Sequence, residues 1–432
     1  MSSPSFVIEG GCKVSGSIRP SGNKNAALPL VAATLLTEEE VILRNVPMIR
    51  DVAAMLELVA GLGATVRMLE PGVVSVRGSG LNGRQPEWKI AKAIRASILL
   101  AGPILARRGH VRLPPPGGDV IGRRRIDTHV LALTGLGAEF SATHEAYEFS
   151  ADKRLKGAEL FLDEASVTGT ENAVMAAAMA TGRTVIMNAA GEPHVQDLCN
   201  LLNRMGAKIS GAGTNTLVID GVDRLRGAEY SVGPDYIEVG SLIVLAAVTG
   251  GELTITDARP LDHRSTRIGF GRLGISFEPT NSGRDILVPG GQRLIVQQDL
   301  FGAVPKVEDA PWPGFPADLT SLAVVAATQS EGTTLIHEKM FESRLFFVDR
   351  LSSMGARIIL CDPHRAVITG KSPLFGQELV SPDIRAGMAL LIAALTATGK
   401  SVIQNVGQID RGYERIDERL NALGAKISRR QG

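Results

Sequence analysis

The chain has 432 residues, with 46 Lys and Arg against 45 Asp and Glu, a formal net charge of +1 and 44% hydrophobic residues. That length suggests two or three domains with large apolar cores. The balanced charge argues against a general nucleic-acid binder, and the scarcity of aromatics (4%) argues against a stacking platform for single strands.

Cys12, Cys199 and Cys361 lie far apart with no Cys-x-x-Cys pair, so neither a disulfide framework nor a metal site is expected. The opening Met-Ser-Ser-Pro-Ser-Phe lacks a charged and apolar leader, and no apolar run reaches the ~20 residues of a membrane span. A cytoplasmic protein without membrane insertion is expected.

In chain order, Pro20-Ser21-Gly22-Asn23-Lys24-Asn25 leads into a helix whose N-terminal amides suit an anion, with Lys24 adding a point charge. Val41-Ile42-Leu43 reads as a strand. Asp51 to Val59 follows as an amphipathic helix and Val73 to Val76 as a second strand. Arg95 opens an apolar helix, either buried against a partner or in a surface ion pair. His110 to Leu113 is the next strand, and Pro114-Pro115-Pro116 stiffens the exit from it.

Gly117-Gly118-Asp119-Val120-Ile121-Gly122 then places a carboxylate among glycines, on a loop free to move. Arg123-Arg124-Arg125 and Asp127-Thr128-His129 follow; a cationic cluster beside a mobile acid suits an anionic substrate closed over by a lid, or a solvated basic turn. Ser166 to Asn172 is a hydroxyl-rich turn that caps a helix or binds a ligand, with Glu171 in a capping role. Pro311-Trp312-Pro313-Gly314-Phe315-Pro316 is a rigid turn delivering Asp318 to the start of an apolar helix, as a helix cap or as a general base. Arg344, Arg385 and Arg411 each fall near a helix start.

A repeat underlies this order. Leu-Gly-Ala or a near variant closes a helical segment at Gly63, Gly137, Gly206, Gly274, Gly355 and Gly424, roughly 70 to 80 residues apart. The glycine fits the left-handed position that ends a helix. A short strand precedes each helix and another follows, and Ala-rich stretches at 172–180, 242–248, 322–327 and 388–396 read as core helices. Six such units exceed one core. The fold expected is α/β, with two similar domains of three units each and a cleft between them. One domain takes residues 1–22 and 234–432, the other 23–233 with the mobile loop at 114–125; Gly233-Pro234 marks a crossing.

The ordered motifs resemble those of the enolpyruvyl transferases over essentially the whole chain. They are Ser-Gly-Asn-Lys-Asn at 21–25, Arg-Ala-Ser at 95–97, Gly-Gly-x-x-Ile-Gly at 117–122 and Arg-x-x-Asp-x-His at 124–129. Pro-Gly-Phe-Pro-x-Asp at 313–318, Asp-Ile-Arg-Ala at 383–386 and Asp-Arg-Gly-Tyr-Glu-Arg-Ile at 410–416 complete the set. The resemblance implies an inside-out α/β barrel. It also implies transfer of the enolpyruvyl group of phosphoenolpyruvate to the 3′-hydroxyl of UDP-N-acetylglucosamine without metal or organic cofactor. A free nucleotide acceptor such as UMP, or a non-catalytic nucleotide-sugar-binding regulator, are the competing readings.

The residues matched to catalysis are Asp119, Asp318, Lys24 and Arg411. Lys24, Asn25, Arg124, Arg344, Arg385 and Arg411 match phosphoenolpyruvate contacts. Asn25, Arg95, Arg124, Arg125, Ile126, Asp127, Thr128, Glu164, Ala165, Ser166, Val167, Asp318 and Met340 match nucleotide-sugar contacts. Asp119 stands where the family usually has cysteine, Arg125 where it has proline, Glu164 where lysine is common and Ser343 where asparagine is usual. Arg125 is expected to offset the charge lost at Glu164. Asp119 can donate a proton once water is excluded but offers no thiolate to the epoxide fosfomycin, so resistance is expected.

Overall fold

The computed structural model describes residues 4–118, 122 and 125–431. The chain forms two compact units. One holds the chain up to Ser21 and from Pro234 onward; the other runs from Gly22 to Gly233, except that Gly122 groups with the first.

A helix that is apolar on every face has to be interior. In the first unit Tyr236–Thr249, Thr320–Gln329 and Ile384–Thr396 are buried along nearly their whole length and pack on one another. In the second unit Lys24–Ala33, the 3-10 turn Arg95–Leu100 with helix Ala101–Arg108, and Val167–Ala177 play that part. The strands that accompany them alternate buried and open residues, as in Arg183–Met187, Lys400–Gln404 and Arg365–Gly370. Each therefore turns one face to the core and one to water.

Five of the six repeats share one sheet plan. A short edge strand enters a core helix, which crosses over to a parallel strand; an outer helix follows, then an antiparallel pair. Glu159–Phe161, Val167–Ala177, Arg183–Met187, Pro193–Arg204, Lys208–Ser210 and Thr216–Asp220 show it in full. The repeat around His110–Leu113 has a three-stranded sheet among the described residues, with the short helix Trp88–Ala91 ahead of its core segment. Each outer helix ends on its repeat glycine at positive φ: 105° at Gly63, 98° at Gly137, 103° at Gly206, 81° at Gly274, 108° at Gly355 and 99° at Gly424. The sequence reading of strand–helix–strand–helix–strand is thus one strand short of the observed unit.

Edge strands are exchanged at both crossings. Gly16–Ile18 pairs in parallel with Leu253–Ile255, whose own crossover helix is Tyr236–Thr249, yet the chain runs on from Ile18 into Lys24–Ala33. Ala228–Ser231 likewise pairs with Glu40–Arg44 but leads into Tyr236–Thr249. The last repeat is completed by the first strand, Ser5–Glu9, lying antiparallel between Lys400–Gln404 and Ile427–Arg430.

Candidate active site

In the first unit, candidate residues gather at the N-terminal ends of the core helices, where free N–H groups and the helix dipole favour anions. Asp235 caps Tyr236–Thr249, accepting from the Ile237 N–H at 2.9 Å and the Glu238 N–H at 3.2 Å. Asp383 caps Ile384–Thr396, accepting from the Arg385 N–H at 2.8 Å, and so fixes Arg385 in the first turn. Asp318 stands in the 3-10 turn Ala317–Leu319 that feeds Thr320–Gln329.

Its carboxylate joins two arginines. Asp318 Oδ1 accepts from Arg344 Nη2 at 2.8 Å, and Oδ2 from Arg385 Nε at 3.0 Å, with Arg385 Nη2 at 2.9 Å. The side chains are 3% exposed at Arg344 and 7% at Arg385 but 26% at Asp318, so the carboxylate is the open member. Burial opposes the Arg385 charge, but Asp318, then Tyr413 and Asp235, hold its pKa well above the usual value. The guanidinium lies 5.6 Å from the Tyr413 ring centre, and the Tyr413 hydroxyl hydrogen-bonds Ser241 Oγ at 3.0 Å. Among the described residues Arg385 Nη1 is buried with no partner, a donor suited to an anionic oxygen. Arg411 closes the 3-10 turn Val406–Arg411 rather than opening a helix, and donates to Gln408 Oε1 at 2.9 Å.

Behind this cluster Asp309 and Glu338 are fully buried. Asp309 accepts from the Lys339 N–H and, at 3.3 Å, from the Met340 N–H; Glu338 accepts from the Phe341 N–H at 3.1 Å. Burial, then the Asp309 carboxyl, pushes the Glu338 pKa up to about 9. Met340 itself is exposed.

In the second unit Lys24 is the first residue of its helix, which Asn23 caps by accepting from the Asn25 N–H at 2.8 Å. A buried cation at a helix N-terminus opposes the dipole and needs an anion. Asp51, equally buried, supplies it with Oδ2 2.7 Å from Lys24 Nζ. Arg95 donates to the Arg125 carbonyl at 2.8 Å. Ile126 is buried just ahead of helix Asp127–Gly135, and Thr128 donates to Asp163 Oδ1 at 2.7 Å. Ser166 caps Val167–Ala177 by accepting from the Gly169 N–H at 3.2 Å; Glu164 is exposed and Ala165 half-buried before it.

The Asp-x-His motif ends in a structural histidine. Asn172 Nδ2 donates to His129 Nδ1 at 2.8 Å and to the Ile98 carbonyl, while its Oδ1 accepts from the Gly102 N–H. This leaves His129 Nε2–H for Thr168 Oγ1 at 3.0 Å. Burial, then Arg95, lowers the His129 pKa to about 3.

A model of the EPSP synthase (3-phosphoshikimate 1-carboxyvinyltransferase) family matches residues 8–420. The chain belongs to that family of enolpyruvyl transferases. Proteins named UDP-N-acetylglucosamine 1-carboxyvinyltransferase from Treponema denticola and Bradyrhizobium diazoefficiens are each 58% identical to it, across 98% of this chain and 98% and 97% of their own lengths. One from Borreliella burgdorferi is 54% identical across 98% of this chain and 99% of its own. The enolpyruvyl transferase NikO from Streptomyces tendae covers all of both chains with a TM-score of 0.87 at 24% identity. An EPSP synthase from Acinetobacter baumannii gives 0.75 at 19%, covering 99% of this chain and 100% of its own. These two likenesses show the enolpyruvyl transferase fold.

Of the candidate residues, Asp318, Arg344 and Arg385 come together directly, and Arg95, Arg125 and Asp127 form a second group. Asp119 and Arg124 lie outside the described residues. Three further sequence readings are decided by the structure. Asp318 is no helix cap, since its oxygens go to arginines. Glu171 does not cap either: it is buried with Oε1 unpartnered among the described residues, and burial, then Glu192, raises its pKa well above normal. Arg125 is committed to Asp127, donating from Nε at 2.7 Å and Nη2 at 2.5 Å; Asp163 and Glu164 only add weaker attraction. Sequence reasoning missed Asp51, Asp309 and Glu338. Asp51 reads as an ordinary first-turn acid, and the other two as strand-end residues with no motif.

Proposed function

We propose that this protein transfers the enolpyruvyl group of phosphoenolpyruvate to the 3′-hydroxyl of UDP-N-acetylglucosamine, releasing phosphate, as the first committed step of peptidoglycan synthesis in the cytoplasm. Full-length identity to relatives bearing that name supports the reading, and the observation that carries it is the Asp318 carboxylate between Arg344 and Arg385.

The addition needs a base for the sugar hydroxyl and a proton for the phosphoenolpyruvate methylene. In this reading Asp318 takes the hydroxyl proton as the sugar oxygen attacks, and Asp119 protonates the methylene. The tetrahedral ketal then loses phosphate, which takes up the proton held by Asp318, while a methyl proton returns to the Asp119 carboxylate and restores the carbon–carbon double bond. Lys24, Arg124, Arg344, Arg385 and Arg411 hold phosphate and carboxylate, with Asn25 beside them. An anion drawing either arginine partly off Asp318 would free a carboxylate lone pair for the hydroxyl. Arg95, Arg125 to Thr128, Glu164 to Val167 and Met340 serve the nucleotide sugar. No described helix is long and apolar enough to cross a membrane.

The test is phosphate release from phosphoenolpyruvate with UDP-N-acetylglucosamine and, separately, with UMP. Turnover with the nucleotide sugar is expected. Turnover with UMP alone would move the protein to another acceptor, and tight sugar-nucleotide binding without turnover would make it a regulator.

A further inference from the structure

Arg344 has two carboxylates within reach and hydrogen-bonds only one. Its Nη2 donates to Asp318, while its Nε stands 3.8 Å from Glu338 Oε2, beyond hydrogen-bond distance. Among the described residues both Arg344 Nε and Glu338 Oε2 are buried and unpartnered. A buried ionised carboxylate that close to a guanidinium would be expected to draw it in. The two stand at ion-pair distance without a hydrogen bond, the arrangement a neutral Glu338 would leave.

Its surroundings explain why. Asp309 is committed as an acceptor to two backbone N–H groups, those of Lys339 and Met340, and its carboxyl, after burial, helps to raise that of Glu338. Two carboxyls that meet in a buried site retain a proton between them. The other groups facing Glu338 are Thr320 at the head of its helix, Arg344, and His364 on the turn beyond Arg357–Asp362. His364 Nδ1 lies 2.7 Å from the Glu338 backbone oxygen. None of these supplies a second cation to the Glu338 carboxyl.

We propose that Asp309 and Glu338 form a carboxyl pair sharing one proton, and that this proton decides which acid Arg344 serves. With it in place, Arg344 belongs to Asp318 and the Lys339–Phe341 segment carrying Met340 is pinned. Without it, Glu338 competes with Asp318 for Arg344 and repels Asp309. Neither acid touches the reacting atoms; both are positioning residues for the reaction proposed above, and the inference about catalysis rests on that reading.

The experiment is a pH profile of kcat/KM for wild type, Glu338→Gln, Asp309→Asn and the double variant, alongside infrared difference spectra of the carboxylic-acid carbonyl band. The wild type is expected to lose activity as pH rises towards about 9. Glu338→Gln, whose amide donates to Asp309 at any pH, should stay within ~2-fold of wild type at neutral pH and lack that fall. Asp309→Asn removes the charge that keeps the proton on Glu338, so its fall should begin at lower pH, reaching up to ~100-fold below wild type through misplacement of Arg344. The double variant should recover the Glu338→Gln profile, a rescue that a merely structural role would not give.

An alkaline fall unchanged in Glu338→Gln, or an Asp309→Asn profile that does not move, overturns the proposal. So does the absence, at neutral pH, of a carbonyl band that disappears as pH rises through about 9. That band is read without turnover, in a Glu171→Gln background because burial also raises the Glu171 carboxyl. It therefore tests the pair even if a variant at 309 or 338 fails to fold, or if phosphoenolpyruvate and UDP-N-acetylglucosamine prove not to be the substrates.

Discussion

Replacing Asp318 by asparagine removes the single anion shared by Arg344 and Arg385. Each guanidinium nitrogen lies within 3.0 Å of its carboxylate oxygen, and both arginines are almost wholly buried. A charge pair near 4 Å at an effective dielectric of ~20 is worth about 4 kcal/mol, and breaking a buried pair typically costs about 3–5 kcal/mol because the remaining charge is stranded. Asparagine keeps one oxygen acceptor for one arginine, and Asp318 is itself partly open to water, so about 2–4 kcal/mol is expected for the unit holding it.

With only two tryptophans in the chain, that unit can be read alone: in a Trp88→Phe background Trp312 remains, packed 6.1 Å from Tyr236 between ring centres. Its urea midpoint should fall by roughly 1 M in Asp318→Asn, whereas Trp88 in a Trp312→Phe background should report no shift. Loss of activity would follow from either a lost base or a disturbed cluster, so stability is the discriminating measurement. An unchanged or raised Trp312 midpoint would refute the claim that Asp318 is the counter-charge of both arginines.

Acid should weaken both units through buried neutral histidines. His129 is lowered to about 3 and His263 to about 4, burial being the main cause in each, so the unfolded chain binds the extra protons first. Stability is then lost as pH falls from ~6.5 towards these values, by the order of 4 kcal/mol at His129, and His129→Asn should flatten the slope measured by urea titration at several pH values. Two repeat glycines should respond differently to alanine. Gly137 has open space around its missing Cβ and should lose only ~1–2 kcal/mol from its positive φ, whereas at Gly63 the Cβ would meet the Gly80 carbonyl oxygen at 2.1 Å and the loss should be at least twice as large. Fosfomycin should leave wild-type turnover intact and inactivate Asp119→Cys by alkylation; rapid covalent labelling of Asp119 in the wild type would contradict the reading.

The repeat was legible because its signal is local. A glycine at the end of an amphipathic run needs no tertiary information to mark a helix stop, and Ala-rich segments apolar on every face announce an interior position. The edge strands were not legible: Gly16–Ile18, Glu159–Phe161 and Ala228–Ser231 are three or four residues long, too short for alternation to show. For the site, Asp318 and Arg385 could be named from motifs, and Arg344 from the family resemblance. The pairing of Lys24 with Asp51, and of Glu338 with Asp309, depends on which segments fold back on one another. Spacing of 27 or 29 residues carries no such information. His129 ends a motif without a role of its own in the sequence; its place as a neutral, buried hydrogen-bonding residue depends on Asn172 and Thr168, which only the fold brings to it.

The strand Ser5–Glu9 is made long before either of the two strands it lies between. One of its neighbours ends at Gln404 and the other at Arg430. At typical synthesis rates of 5–20 residues per second it waits for roughly 20 to 90 s. Meanwhile Phe6 and Ile8, inaccessible to water in the finished fold, have no core to enter. The intervening Gly22–Gly233 stretch has every strand of its own sheets well before that, so the order of assembly is imposed by connectivity: the inner segment first, then closure by the two ends. A nascent chain stalled before Ile427 would leave an apolar strand with one edge open, a template for aggregation; a stop that removes Ile427–Arg430 should therefore be far more damaging than the size of that strand suggests.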